Sequence, residues 1–197
     1  LETETLRCLR LSRPSRMLSM ACGPSQEVQR FLSETALSDK ARFTLLDFNQ
    51  ETLQYARSSI DAIKSQHARH TSIEYVRKSV QQVLKESSRT SQSMDKQFDF
   101  VYCAGLFDYL SEPVCQRLMN LMYEWIAPGG LLVATNVEST NPLRHGMEHL
   151  LDWHLIYRTA ADMRRLIPTQ ALPEEARVLS DSTGVNLFLE VRKPANV

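Results

Sequence analysis

The chain has 197 residues, 43% apolar and 23% charged, with a formal net charge of zero. That balance is the one of an ordinary globular protein of one core. Zero net charge gives the chain as a whole little attraction for a phosphate backbone. No apolar run reaches the roughly 20 residues that span a bilayer, and the charged stretch before Arg16 lacks a signal-peptide core. The expectation is therefore a cytoplasmic protein acting on a small molecule, with no nucleic-acid partner and no membrane span. The sequence does not open on Met, so residues 1–197 are expected to form a single domain taken from a longer chain. The arginines at 7, 10, 13 and 16, and Arg164-Arg165, read as solvated surface. Cys8, Cys22, Cys103 and Cys115 are spaced too widely for a paired metal-ligand motif. They read as reduced, buried thiols.

In chain order, residues 17–22 form an apolar strand that stops at Gly23-Pro24. Ser25 is placed to cap a helix with Val28, Phe31 and Leu32 on one face. Residues 43–46 form a second strand ending at Asp47. Asn49 then caps a helix whose apolar face is Leu53, Ala56, Ile60 and Ile63. Residues 73–76 are a third strand, and Ser79 opens a short helix. Residues 87–96 are polar and read as a loop. Residues 98–104 are a fourth strand, followed by a helix from Ser111 carrying Val114, Leu118, Leu121, Met122 and Trp125. Pro128-Gly129-Gly130 reads as a stop and turn before a fifth strand at 131–135. Residues 141–157 read as a helix crowded with His and aromatic residues, and Thr159 caps another. Residues 177–179 and 187–191 are two strands joined by the turn Asp181-Ser182-Thr183-Gly184, which predicts an antiparallel hairpin. The sum is an α/β fold with a doubly wound, mostly parallel seven-stranded sheet and a C-terminal antiparallel hairpin.

In such sheets ligands lie beyond the carboxyl ends of the strands, where strand order reverses. That puts Ala21, Cys22, Gly23 and Pro24 at the centre of the candidate site, with Gly23 allowing close backbone approach. Asp47 has two readings. Its carboxylate can accept both hydroxyls of a ribose, or it can complement the dipole of the next helix. Phe48 follows it. Ser79 and Val80 are placed either to meet an adenine edge and face or simply to cap a helix.

These runs resemble class I S-adenosylmethionine-dependent methyltransferases. The resemblance rests on Met-Leu-Ser-Met-Ala-Cys-Gly-Pro, Thr-Leu-Leu-Asp, Phe-Asp-Phe-Val-Tyr and Ile-Ala-Pro-Gly-Gly-Leu-Leu-Val, taken in series over residues 16–137. It implies a Rossmann-like methyltransferase fold with S-adenosylmethionine as cofactor. Gly23 would approach the methionine part, Asp47 the ribose, Ser79-Val80 the adenine, and Ala104-Gly105 would lie beside the methionine portion. Ala21 and Ser25 replace two glycines of the family's turn, and Ser19 stands where an acid is common. Residues 104–110 and 152–158 resemble, more narrowly, the methyltransferases that make the extracellular factor 3-hydroxypalmitic acid methyl ester. Those proteins often carry a cyclic-nucleotide-binding-like domain upstream.

On the acceptor side, Tyr109, Arg144, Trp153, Tyr157 and Arg158 are substrate candidates, and His154, Tyr157 and Tyr109 are candidates for a catalytic base. A carboxylate acceptor needs no base, whereas a hydroxyl or ammonium does. Arg144 and Arg158 suit an acceptor carboxylate or a surface salt bridge equally. On a continuous helix His145, His149 and Trp153 share one face. No third metal ligand follows in a known arrangement, so no metal is expected. Two other functions compete with methyl transfer to a small molecule such as a fatty-acid carboxylate. One is a non-catalytic S-adenosylmethionine-binding regulatory domain. The other is an NAD-dependent dehydrogenase, disfavoured by a single Gly23 where G-x-G-x-x-G is required.

Overall fold

A computed structural model describes residues 1–87 and 98–195. The polar loop expected over residues 87–96 falls, after its first residue, outside the described residues. Seven strands form one sheet: β1 (Ser15–Met20), β2 (Ala41–Asp47), β3 (Ser72–Arg77), β4 (Phe98–Cys103), β5 (Ile126–Val137), β6 (Ala176–Ser180) and β7 (Asn186–Arg192). Their order across the sheet is β3-β2-β1-β4-β5-β7-β6. The first five are parallel to their neighbours, and β7 runs antiparallel to both β5 and β6. The doubly wound sheet and its closing hairpin are therefore as expected.

Alternation along each strand feeds two cores. Met17, Phe43 and Leu45 pack with Val28, Phe31 and Leu32 of α2 (Gln26–Glu34) and with Leu53 and Ile60 of α3 (Gln50–His67). Leu18, Met20, Val101, Cys103 and Leu132 pack on the other face. Their partners are Val83 of α4 (Val80–Ser87), Leu118 and Met122 of α5 (Glu112–Trp125) and Met163 of α7 (Ala160–Arg165). Strands covered on both faces read as near-continuous apolar runs, which is why they stand out in the sequence. Asn49 caps α3 through Glu51 and Thr52 N–H groups, and Thr159 closes a capping box with Asp162. Ser25 and Ser111 occupy N-cap positions without a side-chain cap bond.

Three expectations need correction. The Pro128-Gly129-Gly130 segment is no stop. It lies inside β5, where the register against β4 jumps from Phe98↔Ile126 to Phe100↔Leu131. Gly130 is required there, because an added Cβ would stand 2.8 Å from the Ala127 carbonyl oxygen and 3.0 Å from that of Phe98. The helix expected over 141–157 is reduced to α6 (Arg144–Leu150), and Asp152 turns the chain with φ 49° into an irregular segment. Trp153 therefore leaves the face shared by His145 and His149.

The N-terminal arginines are not all solvated surface. Helix α1 (Glu2–Arg10) packs beside the sheet, and the fully buried Asp99 accepts from Arg13 Nη1 at 2.7 Å and from the Arg16 amide at 2.9 Å. Arg7 reaches the same carboxylate, while Glu4 joins Arg7 to Arg192 at 2.7 and 2.6 Å. No helix among the described residues is long and apolar enough to cross a membrane.

Candidate active site

Because β1 to β5 are parallel, the segments after each open on one end of the sheet. β1 is flanked by β2 on one side and β4 on the other, so chain order reverses there. The turn after β1 is held by the Cys22 amide, which donates to the Leu46 carbonyl at 2.9 Å. Ala21, Gly23 and Ser25 have φ of 53°, 53° and 54°. The backbone thus adopts left-handed conformations at all three places, although only one residue is glycine. Ser25 is fully buried, and its hydroxyl donates to the Cys22 carbonyl at 3.3 Å.

Asp47 is 6% exposed at the end of β2. Its Oδ2 accepts the Gly23 amide at 3.0 Å and its Oδ1 accepts the Asn49 amide at 2.9 Å. A carboxylate offers about four acceptor positions, so each oxygen keeps one for a ligand hydroxyl. An added Cβ would meet nothing within 4 Å at Gly23 or at Gly105. There is open room above both. Phe48 presents its ring to solvent beside Asp47, 66% exposed. Ala104 and Gly105 are exposed after β4, and the Gly105 amide donates to Thr135 Oγ1 of β5 at 3.0 Å.

Ser79 acts as a helix cap. Its amide donates to Gln82 Oε1 at 2.8 Å and its hydroxyl oxygen accepts the Gln82 amide at 3.2 Å. Val80 packs partly against the core. Both stand at the end of β3, next to the β2 end, since the Lys78 amide donates to the Asp47 carbonyl at 3.0 Å.

One pair escapes the sequence reading. Tyr102 of β4 lies in register with Ser19 of β1, and its hydroxyl donates to Glu27 Oε1 in the first turn of α2 at 2.6 Å. Burial pushes the Tyr102 phenol well above its ordinary value, and the Glu27 carboxylate adds to the rise. An acid is thereby tied to the strand neighbour of Ser19, the position that itself lacks one. The only sequence signal is Glu27 in a helix first turn, which any surface helix could carry. The four thiols are unsuited to act as nucleophiles. Burial pushes Cys8, Cys22 and Cys115 up to about 11 and Cys103 higher, while nucleophilic attack needs the thiolate.

The profile of the methyltransferase domain family matches residues 17–130, more than half of the chain and all of the segments just described except Thr135. The chain belongs to the methyltransferase domain family. Solved structures of similar fold include the S-adenosylmethionine-dependent methyltransferase SibL, with TM-score 0.65 and 16% identity over 93% of this chain and 51% of that one. An O-methyltransferase family protein from Burkholderia thailandensis aligns with TM-score 0.65 and 15% identity over 94% and 53%. The N-methyltransferase NodS from Bradyrhizobium japonicum, solved with S-adenosyl-L-homocysteine, aligns with TM-score 0.57 and 17% identity over 98% and 85%. The chain spans about half the length of the first two. Comparison with curated proteins gives no match. The family depends on S-adenosylmethionine. The residues here fit that group: a buried carboxylate with free acceptor positions, an exposed aromatic face beside it, and two glycines with open space above them.

Beyond β5, this methyltransferase domain brings part of the acceptor set together. Trp153 Nε1 donates to the Tyr109 hydroxyl at 2.8 Å, and both rings are exposed. Arg144 lies over the Tyr157 ring at 4.4 Å and pairs with Glu148 at 2.9 Å. The Tyr157 hydroxyl is buried. His154 is exposed and pairs with Asp152 at 3.0 Å. Arg158 departs from the expectation of a substrate ligand. It is 4% exposed, and its guanidinium donates to the Phe107 and Leu110 carbonyls at 2.7 and 2.6 Å and to Asn136 Oδ1. Its donors are spent on the chain that follows β4 and on the end of β5. Buried Asp108 works beside it: Oδ1 accepts the Val137 amide at 2.7 Å, and its carbonyl accepts the Ile156 amide at 2.7 Å. Burial raises the Asp108 carboxyl above its ordinary value.

Proposed function

We propose that the domain transfers a methyl group from S-adenosylmethionine to an oxygen of a small apolar acceptor, a fatty-acid carboxylate being the leading class. The observation that carries the reading is Asp47, a nearly buried carboxylate tied to the Gly23 turn yet keeping acceptor positions on both oxygens. When bound, the cofactor supplies an electrophilic methyl on a sulfonium. Gly23 and the turn around it would take the methionine part, with Glu27, held by Tyr102, as the carboxylate for its ammonium. Asp47 would take the ribose hydroxyls, Phe48 and Val80 the adenine faces, and Ala104-Gly105 the far side of the methionine part.

Methyl transfer of this kind is an in-line displacement, so the protein's work is alignment and exclusion of water. A carboxylate acceptor arrives ionised and asks for no base. That suits a site in which the exposed His154 is engaged with Asp152. Arg144 is the cation left for such a carboxylate, since Arg158 is committed internally. Leu143, Leu150, Leu151, Trp153 and Ile156 are exposed apolar side chains around the same segment and suit an acyl chain. The narrow likeness of residues 104–110 and 152–158 to the hydroxypalmitate methyl ester enzymes supports the same acceptor class.

The test is calorimetric titration of the purified chain with S-adenosylmethionine, S-adenosylhomocysteine and NAD, followed by turnover assays on fatty acids and hydroxylated fatty acids. Saturable binding of the two sulfur cofactors and ester formation are expected. NAD binding with no response to either sulfur cofactor overturns the reading. Cofactor binding without turnover on any acceptor favours a regulatory domain.

A further inference from the structure

Helix α6 carries His145, Glu148 and His149, and one potential ligand atom from each lies within 4.8 Å of the other two. Histidines four residues apart on a helix stand one above the other. Here their rings are parallel to 4° with centroids 6.0 Å apart. Both histidines are exposed and Glu148 is half-buried. Glu148 Oε1 accepts from Arg144 Nε at 2.9 Å. That bond fixes the carboxylate from the side, the way an outer hydrogen bond orients a metal ligand. Among the described residues no other group of three such side chains converges in this way.

The helix itself adds a second observation. α6 has seven residues and buries none of them. A helix so short is marginal in water and is normally held by an apolar face, which α6 lacks. The residue that closes it, Leu150, is 84% exposed. A cation bridging positions 145 and 149 would cross-link successive turns and supply the missing restraint.

We propose that His145, Glu148 and His149 bind a divalent transition-metal cation of the zinc, cobalt or nickel class, with at least one coordination position open. Two imidazoles and one carboxylate suit these ions and suit magnesium or calcium poorly, since those ask for oxygen ligands. Tetrahedral ligation places ligand atoms about 3.4 Å apart at bond lengths near 2.1 Å, so side-chain rotations of about an ångström close the site. Glu148, three residues after His145, is the third group that the spacing of the two histidines alone does not supply. Arg144, which orients Glu148, also covers Tyr157. The open position thus neighbours the residues assigned to the acceptor. That adjacency rests on the proposed function, whereas cation binding does not.

The test reads binding alone. The full chain, stripped with chelator, is titrated with Zn2+ and Co2+ by calorimetry, with Co2+ also followed by visible absorption and helix content by circular dichroism. One equivalent is expected to bind saturably and to add helical signal, with Mg2+ failing to compete. H145A and H149A should each weaken binding by more than about tenfold, since even outer-shell losses commonly cost 10–100-fold. E148Q should weaken it less, and H70A, a surface histidine elsewhere, should leave it unchanged. The variants change exposed or half-buried side chains, and melting without metal, expected to be unaltered, checks that they fold. Absence of saturable binding to the parent chain, or binding retained in both H145A and H149A, overturns the proposal. Cofactor binding measured on the same samples separates this failure from failure of the methyltransferase reading.

Discussion

The Gly23 amide donates to the Asp47 carboxylate at 3.0 Å, tying the turn after β1 to the end of β2. One carboxylate thus shapes the turn and faces the space above it. Replacing Asp47 by Ala is expected to weaken S-adenosylhomocysteine binding by about 1.5–3 kcal/mol, the loss of charge-assisted hydrogen bonds. Calorimetry reads the change. Unaltered affinity in a folded variant removes Asp47 from the site.

Ala21 occupies a left-handed conformation at φ 53° that costs an alanine about 1–2 kcal/mol. Glycine relieves that strain but brings about 0.5–1 kcal/mol of extra unfolded-state entropy. Ala21→Gly should therefore raise stability modestly, by up to about 1 kcal/mol. Thermal melting decides this, and a lower melting temperature would mean that the turn is not strained at this position.

Glu27 is held by the Tyr102 hydroxyl. If it takes the cofactor ammonium, Glu27→Gln should weaken S-adenosylhomocysteine by about 1 kcal/mol or more and leave adenosine binding unchanged. Equal losses for the two ligands would assign Glu27 a purely structural part.

Arg144 and Arg158 should separate cleanly. Arg158→Met strands three oxygens that now accept from the guanidinium, two of them in fully buried bonds. It should cost about 3 kcal/mol or more of stability, as when a buried charged network loses one partner. Arg144→Ala should leave the melting temperature within a degree or two and raise KM for a carboxylate acceptor. A stable Arg158→Met protein would contradict the internal role assigned to that side chain.

Burial alone would raise the Asp99 carboxyl, but the Arg13 guanidinium and the Arg16 amide outweigh it and hold the group below the ordinary carboxylate value. A carboxyl depressed in the fold contributes stability that is complete above the unfolded value of 3.8 and is lost as pH falls through the folded value. Asp99→Asn should therefore cost about 2–4 kcal/mol near neutral pH. The figure sits below that of a fully buried pair because Arg13 is 39% exposed. The difference between parent and variant should shrink below pH 4. Chemical denaturation across pH tests both the size and the direction.

The strands were readable because a sheet covered on both faces demands near-continuous apolar runs, which β1, β2 and β4 show, while the edge strand β3 alternates with one face exposed. Asn49 and Thr159 were readable as caps because a cap acts within three residues. Gly23, Asp47 and Gly105 lie at one end of the sheet because each stands at or just after the end of a parallel strand, and parallel strands end together. The failures share one cause. Pro128-Gly129-Gly130 looks like a turn locally, yet pairing with β4 and β7 carries the strand through it. Residues 141–157 have helical spacing, but the Ile156 amide is drawn to the Asp108 carbonyl and the Asn136 side chain to the Ile156 carbonyl. These long-range bonds override propensity beyond α6.

Composition, strand runs and the order of turns, which are local and need no partner, determined the fold class. Tertiary structure alone decided which charged side chains are free for chemistry. Arg158, a substrate candidate in the sequence, and Asp99, one residue of an apolar strand, are buried partners in the fold, while Glu27 is tied to the buried Tyr102. The reason is physical: a charge can be removed from water only where distant groups satisfy it, and only the folded chain brings those groups together.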